Sequence, residues 1–249
     1  MTAVPIYEGT DPVGGKVVRP VGLGILHRND RFPHLYWQNF LSVGPASEAS
    51  AEVLIAEAER VFAGLPIRHV LVADAHAAGR LRPGFLKGGY QEAVLVTMLL
   101  RRPPDREPPP ADLVELGASE LGPAVEAYVR GDPRTEESAR GHELCLLKEE
   151  LGRNGVRFLA ALVEEEIAGW CEVRRYETGG QVEDVVVLEP FRGRGLARAL
   201  ACGAVERLRE DRCDAIFVVA DDKDTVKDLY RRLGFDDVRR TWSFWWPGP

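Results

Sequence analysis

With 249 residues, 45% of them apolar and 29% charged, the chain is long enough for one large domain or two small ones and has ample material for a core. A formal net charge of -7 argues against nucleic acid or an anionic membrane as the main partner, leaves a local basic patch free to bind a phosphorylated cofactor, and weakly favours a cationic acceptor. Four cysteines, Cys145, Cys171, Cys202 and Cys213, form no CxxC pair and have no histidine at ligand spacing, so neither a zinc site nor a dense disulfide framework is indicated.

The opening residues lack a basic start followed by an apolar segment, and no stretch approaches 18 apolar residues, so a cytoplasmic protein is expected. Only five of the 32 basic residues are lysine, a bias expected of a GC-rich bacterial genome. Residues 1 to about 20 are rich in Gly, Pro and charge without periodicity and are expected to be irregular. Val21 to Leu26 and Tyr36 to Val43 suggest strands, Ala51 to Phe62 an amphipathic helix, and His69 to Ala73 another strand. Arg101 to Ala111, RRPPDREPPPA, has no core-forming capacity and reads as a linker. The domains expected are 1-105 and 112-249, joined by a Pro-rich piece at 106-111.

Beyond the linker, Asp112 to Leu116 suggests a strand, Ser119 the N-cap of a helix to about Arg130, and Thr135 to Leu151 a second helix. Val156 to Val163 and Ile167 to Arg175 suggest a hairpin turning at Glu164 to Glu166, most simply an exposed turn. A third strand, about Gln181 to Leu188, contains a continuous β-branched run that suits a strand covered on both faces. Pro190 ends it, Gly193 and Gly195 turn the chain, and Leu196 onward has helical spacing. A strand at Ala215 to Val219, a helix from about Lys223 to Leu233 ended by Gly234, and two strands through the aromatic tail complete the order. The halves also echo each other: HVLVAD (69-74) parallels IFVVAD (216-221), and 85-100 parallels 230-245, at similar offsets. An internal repeat follows.

A turn running into a helix start can hold a phosphate with main-chain amides alone, and Arg192, Arg194 and Arg198 add cations nearby. In isolation, a GxG is more simply a solvated turn. Neither a Walker A loop nor a Rossmann GxGxxG fits: the first lacks Gly-Lys-Ser/Thr and the second would need a small residue at Arg198. The pattern Arg192-x-x-Gly195-x-Ala197, with the preceding Val187-x-x-Pro190-x-Arg192-Gly193 frame and the downstream Leu229-Tyr230-Arg231-Arg232-Leu233-Gly234-Phe235, resembles the acetyl-CoA signature of the GNAT N-acetyltransferase superfamily. The resemblance implies an α/β (α+β) chain of two GNAT-like halves, each a mixed, mostly antiparallel sheet flanked by helices. The first half would be degenerate, because 45-50 offers no arginine and no glycine pair opposite the turn, and Phe85 stands opposite Tyr230.

The resemblance further implies an acetyltransferase that moves an acetyl group from acetyl-CoA, as cosubstrate and without a metal, to an amine by direct attack on the thioester. Its donor-binding residues would be Val187, Leu188, Arg192, Gly193, Arg194, Gly195, Leu196 and Ala197, with a main-chain N–H near Val187 or Leu188 polarising the carbonyl. Tyr230 would protonate the leaving thiolate, although Val226, Leu229, Tyr230 and Leu233 share an apolar helical face and position alone reads Tyr230 as core. Glu183 is the preferred base over Asp184, the two lying on opposite faces by alternation, and both also fit as solvated strand-end charges. The partner would be a small-molecule or peptide amine, with a homodimer left open. The alternative is a non-catalytic acyl-CoA-binding regulatory protein. The five histidines show no metal-pair spacing and read as structural or surface groups. Trp242, Phe244, Trp245 and Trp246 read as packing between halves or at a dimer contact.

Overall fold

The computed structural model describes residues 13–44, 48–131, 139–177 and 179–246. The expected start of the second long helix at Thr135, residues 45–47, and most of the irregular lead-in lie outside those residues. The described chain forms two compact units: an N-terminal unit of 13–96, 221–224 and 239–246, and a C-terminal unit of 97–220 and 225–238.

In the N-terminal unit β1 (Val17–Val21) and β2 (Gly24–Arg28) form an antiparallel hairpin, extended by β3 (Phe40–Val43). The helix α1 (Ala51–Val61) then crosses over to β4 (Arg68–Val72), which lies parallel to β3, as a strand-helix-strand unit requires. Next come α2 (Ala75–Lys87) and β5 (Gln91–Leu100). The C-terminal unit begins with β6 (Asp112–Leu116), α3 (Ala118–Gly131) and α4 (Ala139–Arg153). An antiparallel meander follows, of β7 (Arg157–Val163), β8 (Glu166–Tyr176) and β9 (Gly179–Val187). The helix α5 (Leu196–Glu210) leads to β10 (Ile216–Asp221), parallel to β9, and α6 (Val226–Arg232) leads to β11 (Phe235–Trp246).

Strand order is β1-β2-β3-β4-β11-β5 in the N-terminal unit and β11-β5-β10-β9-β8-β7-β6 in the C-terminal unit. Within each unit the strand pairing is mixed and mostly antiparallel, with parallel steps at β3 to β4 and β9 to β10. The succession of three antiparallel strands, helix, parallel strand, helix and strand occurs twice. So does a ring pair across the last helix-strand turn: Phe85 with Tyr90, centroids 5.2 Å apart, and Tyr230 with Phe235, 5.9 Å apart.

The units divide the chain differently from the expected domains, and strand pairing is the reason. Residues 242–246 of β11 pair with β4, from Trp242 opposite Val72 to Trp246 opposite Arg68. Their aromatic side chains therefore pack inside the N-terminal unit: Phe244 stacks on Phe85 at 4.5 Å and Trp245 on Tyr36 at 6.0 Å. The tail is one strand of 12 residues, not two. Val21 to Leu26 is a hairpin bend rather than a strand, because Gly22 and Leu23 turn the chain, and Tyr36 to Gln38 is a 3-10 turn ahead of β3. The helix α3 starts at Ala118, with Glu120 accepting from the N–H of Gly117, so Ser119 lies inside it. In α6 the helix begins at Val226, because Asp221 accepts from the N–H of Lys223 and holds a turn first.

The core of the N-terminal unit gathers Leu54 and Ala58 of α1, Val70 and Val72 of β4, and Phe85 of α2, all fully buried. Burying each such large aliphatic or aromatic side chain is worth about 1.5–3 kcal/mol. Two histidines are buried with them. His69 bonds through Nδ1 to the Tyr36 carbonyl at 2.9 Å and through Nε2 to Ser243 Oγ at 2.8 Å. His27 stacks on Phe40 at 4.2 Å, and neither ring nitrogen has a partner among the described residues. Burial lowers both to about 4, opposed at His69 by the Tyr36 carbonyl and helped at His27 by Lys16. The unfolded chain therefore binds more protons between its ordinary histidine pKa of about 6.5 and about 4, so stability falls as pH drops through that window. Urea unfolding of His27→Leu is expected to show a shallower loss from pH 7 to 4.5, with stability at pH 7 retained, because an apolar group replaces an unpartnered polar ring.

Candidate active site

The strand β9 is distorted where it leaves its neighbours. Trp170 faces Val186 and Glu172 faces Glu183, so β9 carries one more residue than β8 in that interval, and Asp184 sits at φ 49°. This is a β-bulge, with a left-handed backbone that a residue with a Cβ rarely adopts. A buried charge cluster holds it. Asp184 accepts from Lys148 Nζ and from Trp170 Nε1 at 3.1 Å, while Lys148 also donates to Glu172, which accepts from Arg174 Nε at 2.7 Å.

Glu172 is 0% exposed. Burial alone would raise its carboxyl, but Arg174 and Lys148 outweigh that and hold it down at about 2. Burial likewise opposes the charge of Lys148, yet Asp184 and Glu172 hold its ammonium above the ordinary lysine value. The carboxylate's stabilising effect is thus complete above its unfolded value near 4.5 and is lost as pH falls toward about 2. Lys148→Met should cost roughly 3 kcal/mol, read by urea unfolding at pH 7, because it leaves buried carboxylates short of a cation.

On the other edge β9 pairs with β10 only at Gly180 with Ile216 and Gln181 with Phe217. Beyond those pairs β9 runs on to Val187 unpaired with β10, and the two strands part. Val185, Val186 and Val187 are accordingly half-buried, not covered on both faces as their composition suggests. The Leu188 N–H donates to the Ala168 carbonyl at 2.9 Å. By the alternation of an antiparallel ladder, the Val187 N–H therefore points away from β8, toward the open edge. Among the described residues the N-terminal unit shows no such opening: β3 pairs with β4 through its last residue, Val43 opposite Val72.

The chain then turns through Glu189 to Phe191 and two left-handed glycines, Gly193 at φ 78° and Gly195 at φ 79°, the latter capping α5. Arg198 N and Ala199 N are the first to bond back, both to the Gly195 carbonyl. The amides from Gly193 to Ala197 have no main-chain acceptor among the described residues. Such a run, at the positive end of a 15-residue helix, is an anion receptor.

The turn opens on a cleft of about 930 Å³ whose walls come from 106–109, 193–198 and 225–232. Of the residues expected at the donor site, Gly193, Arg194, Gly195 and Ala197 line it. Leu196 is buried beneath, its amide still in the run, and Arg192 turns back to donate to the Val187 carbonyl at 3.2 Å. Arg198, Arg106 and Arg232 also line the cleft. Arg198 stood near the motif in sequence, but nothing in the composition of the Pro-rich stretch marked Arg106. Tyr230 is buried on α6, edge-on to Phe235, while its neighbours Leu229 and Asp228 face the cleft. Glu183 accepts from Gln181 Nε2, whose Oε1 accepts from Tyr176 at 2.7 Å. Asp184 is engaged by Lys148 and Trp170, so the structure separates the two carboxylates by partner. Among the described residues no cluster of His, Cys, Asp and Glu is arranged to hold a metal, and no helix is long and apolar enough to cross a membrane.

Residues 124–235 match the model of the acetyltransferase (GNAT) family. Solved structures share the fold at low identity. A functionally unknown conserved protein from Staphylococcus epidermidis is 14% identical, with a TM-score of 0.72 over 95% of this chain and 96% of its own. A GCN5-related N-acetyltransferase from Kribbella flavida is 14% identical, with a TM-score of 0.62 over 96% and 92%. A tandem GNAT protein from the clavulanic acid biosynthesis pathway is 16% identical, with a TM-score of 0.57 over 95% and 85%. No curated protein matches the chain.

Proposed function

From the match of residues 124–235 to the acetyltransferase (GNAT) family model, we propose that the chain transfers the acetyl group of acetyl-CoA to an amine of a small-molecule or peptide acceptor. The observation that carries the reading is the run of amides from Gly193 to Ala197, at the head of α5 and opening on the cleft, directly after a strand whose edge parts from β10.

In this reading the amides hold the donor's pyrophosphate, and Arg194 adds charge beside them. The pantetheine arm lies along the open edge of β9, and the Val187 N–H acts as a fixed dipole on the oxygen of the thioester carbonyl. Of the two expected amides, Val187 is the better supported, since the Leu188 N–H is already engaged by Ala168. The acceptor nitrogen attacks the carbonyl carbon, the carbon–sulfur bond breaks, and the nitrogen gives up a proton to Glu183, directly or through water. Tyr230 gives its proton to the departing thiolate. A phenol, with an ordinary pKa of about 10, is protonated at neutral pH and suited to that task.

The N-terminal unit is read as a GNAT-like half that holds no donor. Continuous pairing of β3 with β4 and a phenylalanine at position 85 support this. The acidic composition agrees with a cationic amine. The test is acceptor-dependent release of free thiol from acetyl-CoA across amino acids, polyamines, aminoglycosides and peptide amines. Release with at least one class, strongly slowed in Tyr230→Phe and slowed in Glu183→Gln, is the expected result. Tight donor binding without release for any class would favour a non-catalytic acyl-CoA-binding protein.

A further inference from the structure

The Pro-rich segment expected to be a linker is fastened down from Arg101 to Arg106. Arg101 N and Arg102 N donate to the Gly234 carbonyl at 2.9 and 3.3 Å, and Asp105 N donates to the Arg232 carbonyl at 2.8 Å. Position 234 must be glycine for this approach, since a Cβ there would lie 2.0 Å from the Arg102 carbonyl oxygen. From α5, Arg198 Nη1 donates to Asp105 Oδ1 at 2.8 Å and to the Arg106 carbonyl at 3.2 Å. The segment is therefore a strap between the head of α5 and the end of α6, and it brings Arg106, Glu107 and Pro109 into the cleft wall.

The strap leaves one group unsatisfied. The Arg198 side chain is 4% exposed, and its Nη2 has no acceptor among the described residues. A buried cationic donor without an acceptor, on the wall of a cleft, is a place for an anion. Two more guanidinium groups, Arg106 and Arg232, line the same cleft on exposed residues, and the carboxylates of Glu107 and Asp228 line it too. The amides of the turn already provide for a pyrophosphate, so these arginines are surplus to it. CoA carries one more phosphate, a monoester on the 3′ oxygen of its ribose.

We propose that the strap makes this cleft a receptor for that 3′-phosphate, with Arg106 and Arg198 as its donors, so that the protein selects CoA thioesters over their 3′-dephospho forms. The inference rests on the acetyl-CoA reading and deepens it.

The experiment is calorimetric titration with acetyl-CoA and with 3′-dephospho-acetyl-CoA, on the wild type, Arg106→Gln and Asp105→Ala. Arg106 is exposed and its carbonyl survives the change, so Arg106→Gln keeps the fold; Asp105→Ala removes the carboxylate that anchors Arg198. The wild type should bind acetyl-CoA at least about tenfold more tightly than the dephospho form, the effect of one charge-assisted contact. In both variants the preference should shrink by severalfold, with affinity for the dephospho form unchanged. Equal binding of the two ligands by the wild type overturns the 3′-phosphate site and leaves the acetyl-CoA reading intact. A preference fully kept in both variants overturns the role of the strap. Binding of neither ligand overturns both readings.

Discussion

Ala197→Glu is expected to weaken acetyl-CoA and CoA binding about 10²-fold or more, close to 3 kcal/mol, while leaving thermal stability unchanged or slightly raised. Ala197 is the second residue of α5 and lines the cleft. A carboxylate there lies beside amides that have no other acceptor, and a negative charge in the first turn of a helix is stabilising by about 0.3–1 kcal/mol. The same charge competes for the donors a pyrophosphate would use and repels it. Opposite signs for folding and binding separate this variant from one that merely unfolds. Gly195→Glu lacks that property: the residue is at φ 79°, and a Cβ would meet Pro109 Cγ at 2.7 Å, so strain would accompany any loss of binding. Unchanged affinity in Ala197→Glu would remove the turn from the donor site.

The second large effect is expected at Tyr230. Phenylalanine keeps the edge-on contact with Phe235 and the burial of the ring, and removes only the hydroxyl. If that hydroxyl protonates the leaving thiolate, kcat should fall about 10²-fold, within the range of general acid catalysis, with the acetyl-CoA KM changed by no more than a few-fold. A role confined to packing would leave kcat unaltered, so the split between kcat and KM decides. A thioester of a more acidic thiol, which leaves without help, should recover much of the loss in Tyr230→Phe.

The order of elements from β6 to β10 was legible in the sequence because apolar periodicity and glycine punctuation coincide there. The glycines at 193 and 195 were legible for a related reason: only a left-handed turn ahead of a helix asks for both. The helix α2 was not. Gly79, Pro83 and Gly84 lower its propensity, and it forms because Asp74 caps it, accepting from Ala77 N at 2.7 Å, and because Gly84 lets it approach Ala51 closely. The bulge at Asp184 was hidden as well, since alternation assumes an unbroken pleat and the partner that stabilises the departure, Lys148, is 36 residues away. The strap is hidden from sequence because a proline-rich stretch cannot make a core, yet its carbonyls and amides can still be bound by neighbours such as Arg198 and Gly234. Side-chain partners distant in sequence leave no periodic signal.

The donor site is tested most directly by calorimetric titration of the wild-type protein with acetyl-CoA and with CoA. Saturable binding of both, at a stoichiometry of one per chain and lost in Ala197→Glu, is the predicted result. A stoichiometry of two would give the N-terminal unit a donor site of its own, and no heat of binding for either ligand would contradict the assignment of the turn at Gly193 to Ala197 and the acetyltransferase reading built on it.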